Sequence, residues 1–175
     1  QNFNNVQYAS GIGVNTNGDV YVGERVGSRI RVFDSNGTNY TSFRTGYAPY
    51  GISIHNNIVH VVTMWQYNQK VQRFTANGGS YSDISLQNGN YISSVEVNDN
   101  GIYVAHTYYH YIDRYTLNGG YVGKVGTYGN GSGQFKYVWA IDSDSSGNVY
   151  ATDWYNHRVN KFTKDLVYLS DLNGS

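Results

Sequence analysis

Four strings decide how this chain folds: Arg29-Ile-Arg-Val-Phe33, Lys70-Val-Gln-Arg-Phe74, Tyr111-Ile-Asp-Arg-Tyr115 and Arg158-Val-Asn-Lys-Phe162. They superpose residue for residue, and their closing aromatics recur at intervals of 41, 41 and 47 residues. A period of this size signals one small structural unit repeated along the chain. Asn-Gly follows three of the four strings, at 36–37, 77–78 and 118–119. That dipeptide predicts tight hairpins, with type I′ turns that need positive φ at both central residues.

Each string has further strands around it. Immediately upstream lie Val20-Tyr21-Val22, Val59-His60-Val61, Ile102-Tyr103-Val104 and Val149-Tyr150-Ala151. Before those come Gly11-Ile-Gly-Val14, Gly51-Ile-Ser-Ile54, Ser94-Val-Glu-Val97 and Ala140-Ile-Asp-Ser143. A looser fourth strand closes each unit, at 39–44, 80–86, 121–126 and 166–172. Four short strands every 40-odd residues is the pattern of β-propeller blades, which must stack because none buries both faces alone. The expected fold is therefore all-β. One domain over 1–175 carries four four-stranded blades, approximately 9–46, 47–89, 90–135 and 136–175, as a propeller or part of a larger array. Composition agrees: 19 Tyr and 21 Gly against a single Pro favour pleated surfaces joined by turns.

The fourth unit resembles the NHL repeat. Gly131-Ser-Gly-Gln-Phe135, Gly147-Asn-Val-Tyr150, Asp153 and Asn156-His-Arg-Val159 follow that family's order of glycine-x-phenylalanine, strand, Asp and Asn-His-Arg-Val. The full signature is confined to residues 131–163. At the Asp position the other units hold Glu24, Thr63 and His106, and at the His position Ser28, Gln69 and His110. The resemblance implies a scaffold for recognising protein, RNA or glycan, with the Asn-His-Arg histidine joining blades by hydrogen bonds. A fold hosts many functions, so the site must be argued separately.

Charge excludes one class of partner. Twelve basic residues balance twelve acidic ones, and no basic stripe appears, so nucleic acid is not expected. No apolar run reaches the ~20 residues that cross a bilayer, so no membrane insertion is expected. The absence of Cys removes thiolate and disulfide chemistry. The chain starts at Gln1 with no signal-peptide pattern, which reads as a processed chain or a fragment.

Four groups of residues could carry chemistry. Asp142-Ser-Asp144-Ser-Ser146-Gly147, with Asp153 beyond, approximates a calcium loop. The repeat register puts 144–148 in a hairpin and Asp153 at the far end of the next strand, so turn chemistry is expected instead. His106, His110, Asp153 and His157 sit in or beside equivalent inter-strand loops and are candidate metal ligands; a structural role is expected, and no metal or cofactor. Glu96 and Asp142 occupy equivalent first-strand positions near the axis, where paired carboxylates could serve acid–base work. With only two of four units so equipped, they are expected to line a water-filled channel.

The aromatic residues concentrate on one face. Loops leading into the first strands hold Tyr8, Tyr47, Tyr50, Tyr91, Tyr137 and Trp139. Those between second and third strands hold Trp65, Tyr67, Tyr108, Tyr109, Trp154 and Tyr155. Amphipathic rings give contact area at small entropic cost, which suits a sugar or protein partner. The expected binding residues are Tyr50, Trp65, Tyr67, Tyr108, Tyr109, Trp139, Trp154 and Tyr155. Sequons at Asn36, Asn39, Asn130 and Asn173 are expected in outer turns, none in a strand, and suggest an extracellular or cell-surface glycoprotein.

The reading at this level is a non-catalytic extracellular module that binds glycan or protein. Its alternatives are a subunit of an extracellular fibre or assembly and a metal-dependent lyase or hydrolase. Residues 1–9 look like the tail of a preceding repeat, with Phe3 in the place of Phe135. An open arc of four blades would expose apolar faces on its first and last blades. Self-association, or further blades in the native chain, is therefore expected.

Overall fold

The computed structural model describes residues 6–63, 70–87 and 91–173. Phe3, Trp65, Tyr67 and Gln69 lie outside them. Blade 1 contains β1 (Ala9–Val14), β2 (Val20–Glu24), β3 (Arg29–Phe33) and β4 (Asn39–Arg44). In blade 2 the strands are β5 (Pro49–His55), β6 (Ile58–Thr63), β7 (Lys70–Thr75) and β8 (Ser80–Ser85). Blade 3 has β9 (Ile92–Asn98), β10 (Gly101–His106), β11 (Tyr111–Tyr115) and β12 (Tyr121–Val125). Blade 4 has β13 (Val138–Ser143), β14 (Val149–Asp153), β15 (Arg158–Phe162) and β16 (Tyr168–Asn173). Each blade is a four-stranded antiparallel meander in chain order, so the fold is an all-β propeller array. Among the described residues the only helix is one 3₁₀ turn each at Thr107–Tyr109 and Trp154–Asn156, and no helix is long and apolar enough to cross a membrane.

The core is three layers, one per pair of neighbouring blades. Tyr21, Ile30 and Val32 of blade 1 meet Ile52, Val59 and Val61 of blade 2. Val62, Val71 and Ile84 of blade 2 meet Val95, Val104 and Tyr115 of blade 3. Between blades 3 and 4, Phe135 inserts against Tyr103, Ile112, Ala151 and Phe162. The second strands of the inner blades, β6 and β10, are sandwiched on both faces and are buried almost throughout, which is why they read as near-continuous apolar runs. Each large side chain buried this way contributes roughly 1.5–3 kcal/mol. First strands approach closely: a Cβ on Gly51 would stand 2.8 Å from the Ser94 Cα, so that position requires glycine.

β1 packs on β5, β5 on β9 and β9 on β13, but β13 makes no comparable contact with β1. The four blades form an open arc.

Two local expectations are corrected. The Asn-Gly hairpins are not type I′. Gly37, Gly78 and Gly119 have φ of 78°, 82° and 90°, whereas Asn36, Asn77 and Asn118 are not left-handed. The Gly37 amide donates to the Asp34 carbonyl, and the ladder shifts register beside it. That is a type I turn with a glycine bulge, in which only one residue needs positive φ. The type I′ geometry belongs instead to Asn56-Asn57 (φ 49° and 60°), between β5 and β6. The sequons are also not all in turns: Asn39 opens β4 and Asn173 ends β16. The Asn39 amide donates to the Val32 and Thr41 carbonyls, so the fold already occupies that side chain.

Candidate functional site

Loops at one end of blades 3 and 4 build a ladder of rings. The 3₁₀ turn Thr107–Tyr109 follows β10, and Trp154–Asn156 follows β14 at the equivalent place. Each is closed by a histidine in the left-handed region, His110 (φ 60°) and His157 (φ 54°); Ser28 (φ 49°) takes the same conformation in blade 1. The turns place Tyr91 on Tyr108 (4.7 Å), Tyr108 on Tyr137 (5.1 Å) and Tyr137 on Tyr155 (4.9 Å). Trp154 continues from Tyr155 (5.3 Å), and Trp139 from Trp154 (5.5 Å). Tyr108, Tyr109, Trp139, Trp154 and Tyr155 are all exposed. Tyr50 stands apart from this ladder, half-buried with the Arg25 guanidinium 4.7 Å over its ring.

A concavity of about 650 Å³ runs along the first strands of all four blades, from Gly11 past Ser53 and Glu96 to Asp142. Tyr50 and Trp139 stand in its wall, and it opens onto the outer face of blade 4 at Tyr150, Thr152 and Val159. Three blades converge on Glu96. The Ser53 hydroxyl of β5 donates to Glu96 Oε2 (3.2 Å), and the Ser143 hydroxyl of β13 donates to Oε1 (2.6 Å). Both serines are held in turn: Ser53 Oγ accepts from the Val97 amide, and Ser143 Oγ from the Asn98 side chain. Burial pushes the Glu96 carboxyl above the usual glutamate range. The Ser143 and Ser53 hydroxyls and the Val97 amide oppose the shift, while the Asp142 charge adds to it. Glu96 is thus more than a solvated lining group. Asp142, the other carboxylate of the expected pair, is exposed and accepts from the Ser143 amide.

The four candidate metal ligands do not converge. His106 is fully buried, with Nε2 3.2 Å from Asp113 Oδ2 and its ring against Tyr111. Asp153 is fully buried too, accepting from the Lys136 amide (2.7 Å), Asn156 Nδ2 (2.7 Å) and Arg158 Nε (3.3 Å). Arg158 then reaches the carbonyls of Asn130, Gly131 and Gln134 in the preceding linker. His110 packs its ring on Tyr128 and Tyr137, and His157 is exposed. Among the described residues no group of three His, Cys, Asp or Glu side chains could hold a metal ion. The Asp slot joins a blade to its linker. Blade 1 repeats the device with Glu24, which accepts from the Gln7 amide and from Arg29 and Arg31. Asp144 does the expected turn work, its Oδ1 accepting from the Ser146 and Asn148 amides.

Sequence reasoning noticed Glu96 but missed its two serines. The repeat register carries a signal for one of them, because Ser53 and Glu96 fill the same first-strand slot in adjacent blades.

No protein-family model and no curated protein matches the chain. Solved structures do. A streptogramin B lyase is 20% identical over 93% of this chain and 53% of its own, with a TM-score of 0.73. A catalytically inactive virginiamycin B lyase from Staphylococcus aureus, solved with quinupristin, is 17% identical over 98% of this chain and 57% of its own (TM-score 0.75). Glutaminyl cyclase from Myxococcus xanthus is 11% identical over 97% and 72% (TM-score 0.69). At these identities the likeness shows the propeller fold alone, and the chain spans about half the length of these lyases. The expectation that the chain is not an enzyme is corrected to this extent: the shape is shared with lyases and a cyclase, so the fold gives no ground for excluding catalysis.

Proposed function

We propose that the chain forms the active-site part of a propeller enzyme that moves protons on a molecule whose polar part sits in the axial concavity. Glu96 is the acid–base group. The observation that carries this reading is the Glu96 carboxyl itself, raised by burial, gripped by hydroxyls from two other blades and facing the cavity. A carboxyl whose pKa is shifted upward holds its proton more readily than an ordinary glutamate, which suits a group that both gives and takes one. The lyases and the cyclase of the same shape support an enzyme over a passive binder. The ring ladder from Tyr108 to Trp139 is the surface along which an apolar part of the substrate lies.

Quinupristin, the molecule bound in one of those lyase structures, is the first probe. Turnover should fall by roughly 10²–10⁴-fold in Glu96→Gln, the usual contribution of a positioned acid–base group. Tyr155→Ala should weaken binding while changing stability by no more than about 0.5 kcal/mol, because its ring is exposed. A carbon-13 titration tests the premise directly: the Glu96 midpoint should lie above that of an ordinary glutamate. A midpoint at or below the ordinary value removes the proposed acid–base group.

The same shift has a stability consequence with a definite sign. A carboxyl whose folded pKa is raised favours the fold while it is protonated, and that contribution is lost as pH rises through the folded value. Glu96→Gln should therefore raise the melting temperature at neutral pH and leave it nearly unchanged in acid. The wild-type chain keeps a destabilising group where chemistry needs it.

A further inference from the structure

We propose that two copies of this chain join head to tail, blade 4 of each on blade 1 of the other, to close an eight-bladed ring. The case rests on a hydrogen bond that recurs at every internal blade junction. Tyr21 Oη of blade 1 donates to the Ala76 carbonyl of blade 2 (3.1 Å). Arg73 Nη1 of blade 2 donates to the Leu117 carbonyl of blade 3 (3.2 Å), and Tyr103 Oη of blade 3 to the Lys164 carbonyl of blade 4 (2.7 Å). All three acceptors stand two residues beyond the aromatic that closes the third strand. The second-strand slot of Tyr21 and Tyr103 holds His60 in blade 2, where its cross-strand partner Arg73 donates instead; in blade 4 that slot holds Tyr150, whose hydroxyl donates to Asp144 Oδ2 (3.0 Å). The matching acceptor in blade 1 is the Ser35 carbonyl, two residues after Phe33. Each end of the arc thus holds one half of the junction.

Apolar burial shows the same halves. Ile52, Val95 and Ile141 are 7%, 2% and 7% exposed against the preceding blade, whereas Ile12 at that position of blade 1 is 64% exposed. On the opposite faces Ile30, Val71 and Ile112 are fully buried, whereas Val159 of blade 4 is only half-buried and its cross-strand neighbour Leu172 is exposed. Blade 1 is also furnished with a linker for a blade before it. The Gln7 amide donates to Glu24 and the Tyr8 carbonyl accepts from the Arg25 amide, as Lys136 and Tyr137 do with Asp153 and Trp154.

A second copy supplies the complementary half at both seams. Propellers close with about 4–8 blades. Two copies make eight, three would exceed that range, and the single arc leaves β13 away from β1. The contact is heterologous and closes by a two-fold rotation about the propeller axis.

Light scattering on the chain should return twice its 19.6 kDa mass over a wide concentration range. Ile12→Arg and Val159→Arg, which would bury a charge at the seam, should each return the single-chain mass. Cross-linking keeps the test decisive if either variant fails to fold. The native chain has no Cys, so Tyr150→Cys with Ser35→Cys offers one thiol pair to a short bifunctional reagent. It should yield a two-chain product, while the internal control Tyr21→Cys with Ala76→Cys links within one chain. A single-chain mass at all concentrations, masses that climb in an open series, or a Tyr150–Ser35 link within one chain would each overturn the closed pair.

Discussion

Asp153→Ala should destabilise the fold by about 3 kcal/mol, read as a lower midpoint in urea with an unchanged slope. Asp153 is fully buried and satisfies three donors at once: the Lys136 amide, Asn156 Nδ2 and Arg158 Nε. Removing the carboxylate leaves the Arg158 side chain, only 8% exposed, without its buried counter-charge. Truncating one partner of a buried pair typically costs 3–5 kcal/mol, because the other charge remains in a low dielectric. Arg158 keeps Asp171 at 3.2 Å and three carbonyl acceptors in the linker, which holds the loss at the lower end. The damage should be local as well as global. Amide exchange should quicken first in 129–136, because Asp153 and Arg158 are what tie that linker to blade 4. A loss below 0.5 kcal/mol would show that the linker holds itself.

Acid should remove about 3 kcal/mol of stability through one histidine. His60 is buried, its Nδ1–H donating to the Ile58 carbonyl (3.1 Å). Burial first, and the Arg73 charge second, lower its pKa from the ordinary 6.5 to about 4. For a base so lowered the unfolded chain takes up its proton first. Stability is therefore complete above pH 6.5, falls as pH drops from there to about 4, and is flat below, as far as this group is concerned. A shift of that size corresponds to about 3 kcal/mol at 1.36 kcal/mol per unit. Denaturation of the wild-type chain and of His60→Gln, which keeps a side-chain N–H for Ile58, measured at pH 7.5 and 4, isolates the contribution. The difference between the two pH values should shrink in the variant. Equal differences would mean that His60 takes up its proton alike in the folded and unfolded chain.

The repeat was legible because local chemistry writes it. Third-strand strings with a closing aromatic, and glycine in the hairpin after Phe33, Phe74 and Tyr115, follow from strand packing and turn sterics within a few residues. The aromatic face was legible for a related reason: loops at equivalent places in a repeat must emerge on the same side. Turn type was misread, since Asn-Gly serves both a type I′ turn and a type I turn with a glycine bulge. Only the ladder register on either side distinguishes them.

The sequence by itself determined the four-stranded unit, its number, its strand positions and the face that carries Tyr108, Tyr109, Trp154 and Tyr155. Tertiary structure alone decided what the polar groups do. His106, His110, Asp153 and His157 look alike as loop-borne ligands in one dimension, yet the fold buries His106 and Asp153 and leaves His157 in solvent. Glu96 and Asp142 share a repeat position, but only Glu96 meets hydroxyls from residues 43 and 47 positions away in the chain. Periodicity is set by interactions along a strand. Charge state and reactivity are set by what the neighbouring blades bring within about 3 Å, and that distance exists only once the blades have packed.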